Sequence, residues 1–160
     1  MRLPILSLAF LLALAAPGFG VAGNVATAPG DLARLQGQWT TRAGPERDIR
    51  VALKIEGRQA TMTITLPEGQ SIQIRGEIRI NETTAPRALD WVNFVGPDRQ
   101  EMPDVAAIYE LKGDTFRVCS GGPSNPRPTE FKPGDGILAD LVTFVRASAE
   151  QPAKSARCQP

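Results

Sequence analysis

The chain has 160 residues, with 18 Lys and Arg against 17 Asp and Glu and no histidine at all. A net charge this close to zero exerts no long-range pull on phosphate, so nucleic acid is not an expected partner. Without histidine the commonest general base and the commonest zinc ligand are missing, and neither a cofactor nor a metal is expected.

Met1-Arg2 leads into the apolar run LPILSLAFLLALAA, followed by small residues. This is the pattern of an export signal, with cleavage expected after Ala22 and a site near Ala28 as the alternative. The run, about 14 residues, is shorter than the ~20 that cross a bilayer as a helix, so no membrane insertion is expected after processing. Loss of Arg2 with the leader brings the acidic and basic counts level. The organisation read from the chain is a signal peptide over 1–22, a tether over 23–30, one domain over 31–147 and a polar tail over 148–160. The mature protein is expected to be a monomer in the periplasm or outside the cell.

In chain order, Asp31 is placed to cap a short helical turn carrying Leu32 and Leu35. After Gly37 the period changes to two. Ile49, Val51, Leu53 and Ile55 alternate with Arg50, Ala52 and Lys54, as in a strand with one wet face. Glu56-Gly57-Arg58 turns the chain into a second alternating run, Met62, Ile64 and Leu66, set against three threonines. Pro67-Glu68-Gly69 turns it again into Ile72, Ile74, Ile78 and Ile80, with Gly76 marking a bulge or bend. ALDWVNFV is the next strand, then the polar loop GPDRQEMPD. VAAIYEL and TFRVC form a hairpin about Lys112-Gly113-Asp114. TEF reads as a short strand, KPGDGI as a turn and LVTFVRA as the last strand. About eight strands with regular turn punctuation predict an all-β, antiparallel, eight-stranded barrel.

Two sets of motifs carry a resemblance. Gly37-Gln38-Trp39 at the start and Arg146 in the last strand resemble the Gly-x-Trp and terminal basic residue of lipocalin-like barrels. The resemblance implies that Arg146 covers the Trp39 indole and closes one barrel end. LQGQW, IYELKGDTFRVC and RPTEF further resemble an uncharacterised family of small exported domains common in planctomycete bacteria. That likeness extends from about Leu32 to Arg146 and implies a lipocalin-like barrel with no established reaction or ligand.

Two functions are expected. The first is binding of a small apolar ligand inside the barrel, with Trp91 and Tyr109 lining the site and Arg127 on its polar rim. The competing outcome is an interior packed solid by its own side chains. The second is a protein-binding module of the cell envelope, acting through the proline-rich loop SGGPSNPRP at 120–128. Catalysis would have to rest on a carboxylate pair among Asp90, Asp104, Glu110 and Glu130. Asp135 and Asp140 lack the ligand spacing of a calcium loop. Arg127 and Glu130 are read as a charge pair bracing the loop. Cys119 and Cys158 are candidates for a disulfide, since exported cysteine pairs usually join; the alternative is a buried, free Cys119.

Overall fold

A computed structural model describes residues 29–134 and 140–148. The signal, most of the tether, the tail and Cys158 therefore lie outside the described residues. A four-residue helix, α1 (Asp31–Arg34), leads into eight strands: β1 (Gly37–Ala43), β2 (Ile49–Glu56), β3 (Gln59–Thr65), β4 (Ser71–Asn81), β5 (Arg87–Val95), β6 (Val105–Lys112), β7 (Thr115–Pro123) and β8 (Leu141–Arg146). Each strand pairs antiparallel with its chain neighbour, and β1 pairs with β8 through Trp39↔Arg146 and Thr40↔Val145, closing the barrel in the order β1 to β8. Closure leaves no sheet edge to template aggregation.

The count of eight strands holds, although one member differs from expectation. TEF lies in a bend, and the missing strand is β1, which carries the Gly-x-Trp motif. Gly37 and Thr41 leave Trp39 and Ala43 as the only apolar side chains on the inward face of β1, so periodicity alone passes it over. Its pairing with both β2 and β8 is what makes it a strand.

Inward side chains keep to the two-residue period. In β2, Val51, Leu53 and Ile55 are buried while Arg50, Ala52, Lys54 and Glu56 are exposed. The β6–β7 hairpin turns on Gly113-Asp114, with Lys112 facing Thr115 and Gly113 at φ +54°. A register shift between Arg75 and Glu77 falls at Gly76, but the extra residue belongs to β5, where Asn93 turns to φ +56°. That residue flips the remainder of β5. Phe94, which would share the outer face of Val92 in a simple alternation, therefore points into the barrel. Gly76 is needed there because a Cβ at this position would overlap the Phe94 ring.

Three strands are buried on both faces. Ala88, Val92, Ile108 and Cys119 are covered although they lie outside the interior cluster. The segment from Ser124 to Gly134 crosses this outer face. Phe131 stacks under the Arg117 guanidinium at 4.9 Å, and Cys119 donates its thiol hydrogen to the Lys132 carbonyl at 3.0 Å. Cys119 is a free, fully buried cysteine here, and its proposed partner lies beyond the described chain.

Candidate functional site

The barrel has two unlike ends. At the first, β1 begins, β2 meets β3, β4 meets β5 and β6 meets β7. Leu35, Trp39, Ile55, Ile78, Leu89 and Phe116 are all fully buried in it. Trp39 meets Phe116 at a tilt of 57° with 5.6 Å between ring centroids, and donates its indole N–H to the Leu35 carbonyl at 2.8 Å. Arg146 lies over the same indole at 4.1 Å. Its guanidinium donates to the carbonyls of Gln36 (2.8 Å) and Arg34 (2.6 Å) and to Asp114 (3.1 Å). Such a stacked, hydrogen-bonded guanidinium contributes roughly 0.5–2 kcal/mol.

Asp31 completes this closure, and in a different role from the expected cap. Gly30 is the N-cap of α1, with no side-chain capping bond, while the Asp31 carboxylate is buried at 4 % exposure. One oxygen accepts from Arg34 at 2.9 Å; the other accepts from Arg87 at 2.6 Å and from the Tyr109 hydroxyl at 3.0 Å. The Asp31 backbone N–H is held by Glu82 at 2.9 Å. Burial first, and then the hydrogen bond to Asp31, push the Tyr109 phenol well above its ordinary value. A buried carboxylate with this many donors satisfies its lone pairs, the condition under which burial of a charge is tolerated. No sequence signal distinguishes it from an ordinary cap residue, because its partners on β5 and β6 lie 56 and 78 positions away.

At the second end the interior is open. A cavity of about 340 Å³ extends inward, lined by Ala43 and Ile49 near the β1–β2 connection, Met62 and Ile64 on β3, Ile74 on β4, and Trp91 and Phe94 on β5. Met102 and Pro103 from the β5–β6 connection, Val118 on β7, and Val142 and Phe144 on β8 complete the wall. Its polar members are Thr41, Ser120 and Asp140. Trp91 meets Phe94 edge-on at 5.8 Å, forming an aromatic wall. The interior is thus neither hollow throughout nor packed solid.

Of the residues expected at a ligand site, only Trp91 lines this cavity. Tyr109 belongs to the closed end, 1 % exposed and bonded to Asp31, and is not part of the cavity wall. Arg127 is not on the rim either. It crosses the outside of the barrel, donating to the carbonyls of Leu89 and Ala107 and pairing with Asp90 at 2.7 Å. Its expected partner Glu130 pairs instead with Lys132. The expected loop 120–128 is part strand: Ser120–Pro123 belong to β7, and Ser124–Pro128 are a strap fixed to β5 and β6, with Asn125 also donating to the Gly121 carbonyl at 2.8 Å.

The four carboxylates weighed for catalysis are separated and engaged elsewhere. Asp90 holds Arg127, Glu110 pairs with Lys112, Glu130 with Lys132, and Asp104 accepts from the Asn93 N–H. None of them lines the cavity. Asp140 does, and Asp135 lies outside the described residues. Sequence reading missed Phe94, Met102 and Phe144. Phe94 is hidden by the Asn93 bulge, and Met102 sits in a loop whose composition is polar.

The positions of backbone strain divide in the same way. Among the described residues, the five non-glycine residues in the left-handed region are Arg47, Asn93, Asp98, Arg99 and Ser124, and all belong to the open end or its connections. Left-handed positions at the closed-end turns are occupied by Gly57 and Gly113, which adopt them without a Cβ penalty.

The protein is thus an up-and-down antiparallel barrel of eight strands, plugged at one end and carrying an apolar cavity at the other. It matches no protein-family model, no curated protein and no solved structure.

Proposed function

We propose that this is an exported binding protein that holds a small apolar molecule in the open end of its barrel. The observation that carries the reading is the cavity itself, about 340 Å³ with an almost wholly apolar lining. Its size falls at the lower end of the roughly 300–1,000 Å³ typical of small-molecule sites. Met62 and Met102, the only methionines after Met1, both contribute to it. Flexible, polarisable thioethers suit a site that adapts to its occupant. Support for export comes from the N-terminal apolar run, and the motif likeness to small exported domains is consistent with it.

Binding is tested by titrating the folded protein with an environment-sensitive apolar dye. Saturable uptake with one site per chain, accompanied by a change in Trp91 fluorescence that a Trp91→Phe variant loses, is the expected result. Uptake that never saturates, or that persists only in unfolded protein, rejects the cavity as a site. Export predicts a mature chain beginning at Gly23, read from the intact mass of the secreted protein. A full-length mass in the exported fraction contradicts cleavage.

A further inference from the structure

The cavity is chemically two-sided. Its polar residues, Thr41, Ser120 and Asp140, come from β1, from β7 and from the residue leading into β8, which are neighbours in the closed barrel. The aromatic wall of Trp91 and Phe94 belongs to β5, on the opposite side of the ring of strands. Asp140, an exposed residue at the mouth, is the one charged residue of the lining among the described residues, and no Lys or Arg is present there. An ionised carboxylate only accepts hydrogen bonds, and the two hydroxyls beside it can adjust to whatever occupies the remaining positions. A ligand's polar end that engages Asp140 must therefore donate. A carboxylate or phosphate would meet repulsion from Asp140 with no cation to offset it.

One contact places the aromatic ring of the opposite wall. Phe94 lies flat against the backbone at Gly76, where any Cβ would overlap its ring and drive the ring toward the cavity. The β5 bulge at Asn93 turns Phe94 inward, and the Met102 N–H bond to the Phe94 carbonyl at 2.8 Å ties the mouth loop to the same residue. The Gly76–Phe94 contact thus fixes where the Phe94 ring stands beside Trp91. A wall of two aromatic rings favours a ligand ring over a flexible chain, since ring–ring contacts add favourable geometry beyond the area they bury.

Resting on the reading of the cavity as a binding site, we infer that the ligand is a ring-bearing apolar molecule with a hydrogen-bond-donating end, an alcohol or an amine. Gly76 with Phe94 selects its ring and Asp140 selects its end group.

The test is calorimetric titration of the folded protein near pH 7 with 1-naphthol, 1-naphthoate and 1-octanol. 1-Naphthol is expected to bind more tightly than 1-naphthoate by about five-fold or more, the factor for one like charge about 4 Å away in a water-like dielectric. Asp140→Asn is expected to bring the two ligands within about two-fold of each other, raising naphthoate by removing the like charge and lowering naphthol by weakening its acceptor. Phe94→Leu is expected to weaken naphthol by about ten-fold, the loss of one edge-on aromatic contact at its upper range, and to leave octanol in place. Gly76→Ala should act in the same direction, provided its melting temperature shows that it folds. Naphthoate bound as tightly as naphthol to the native protein overturns the donor-end assignment and leaves the cavity reading standing. Phe94→Leu weakening octanol as much as naphthol overturns the ring assignment. If neither naphthol nor octanol binds, the cavity reading itself fails.

Discussion

The two ends of this barrel are built from the same strands and serve opposite purposes. At the closed end every strand contributes a buried side chain, a tryptophan and an arginine stack as a plug, and a carboxylate gathers three donors beneath α1. At the open end many inward residues, Ile49, Met62, Ile64, Ile74 and Val142 among them, are only partly buried, the backbone carries left-handed non-glycine residues, and the wall surrounds empty space. Side chains at the plug have neighbours on all sides, whereas those around the cavity lack partner atoms on one side and lose that dispersion energy. Packing is therefore concentrated at one end and open space at the other.

Truncation at each end tests this contrast most directly. Trp39→Ala is expected to cost about 3–5 kcal/mol of unfolding free energy, the range for a fully buried aromatic, with little loss of dye binding if the barrel is kept folded by moderate temperature. Denaturant unfolding monitored by far-UV circular dichroism measures it. A cost of less than about 1 kcal/mol would mean that the plug is not the stabilising end.

Asp31→Asn comes next, at roughly 1–3 kcal/mol, below the value for a fully buried pair because Arg34 and Arg87 keep 38 % and 44 % of their side-chain surface in water. The same denaturant curves measure it. Equal stability of the variant and the native protein would remove Asp31 from the closure.

Tyr109 makes the contrast visible in pH. It is the single tyrosine, so phenolate absorbance near 295 nm reports this group alone. Its folded value lies above the ordinary phenol value of about 10, and the protonated form is favoured by folding. Its contribution is therefore fully present below pH ~10 and is lost as pH rises above that, where the unfolded chain binds fewer protons than the folded one. The expected result is no phenolate signal until the barrel itself unfolds. A free titration near pH 10 with circular dichroism unchanged would contradict the buried hydroxyl bond. Tyr109→Phe should lower stability at pH 7 by about 1.5–3 kcal/mol at most, the range for a hydrogen bond to a charged group, and flatten the alkaline loss.

The mildest change in stability belongs to the cavity. Met62→Ala should cost about 1 kcal/mol or less, because part of the side chain already faces open space, while it weakens dye binding measurably. A loss as large as that of Trp39→Ala would show that the two ends are equally packed, and the contrast between them would collapse.

Much of this molecule is legible in the primary structure. Val51, Leu53 and Ile55, and later Phe116 and Val118, alternate with polar neighbours, and Gly113 marks the tightest turn. Legibility ends where the period is interrupted or where two faces are covered at once. Asn93 adds one residue to β5 and reverses the facing of the residues after it, so Phe94 reads as an outward residue. Ile108 and Cys119 are buried outside the barrel because a strap distant in sequence lies on them. Arg127 reads as a rim residue, yet its guanidinium reaches carbonyls 38 and 20 positions away.

The class of fold is already dictated by primary structure: an alternating pattern with short turns can bury its apolar face only by pairing strands, and eight of them close. Primary structure also singles out Trp39 and Arg146, whose places at the first and last strands become adjacent once the barrel closes. Which end is sealed and which is hollow is a matter for the folded molecule alone. That depends on how far each inward side chain reaches across the axis toward seven other strands. Local periodicity records which face a side chain takes, and packing across the barrel decides whether that side chain meets a neighbour or a cavity.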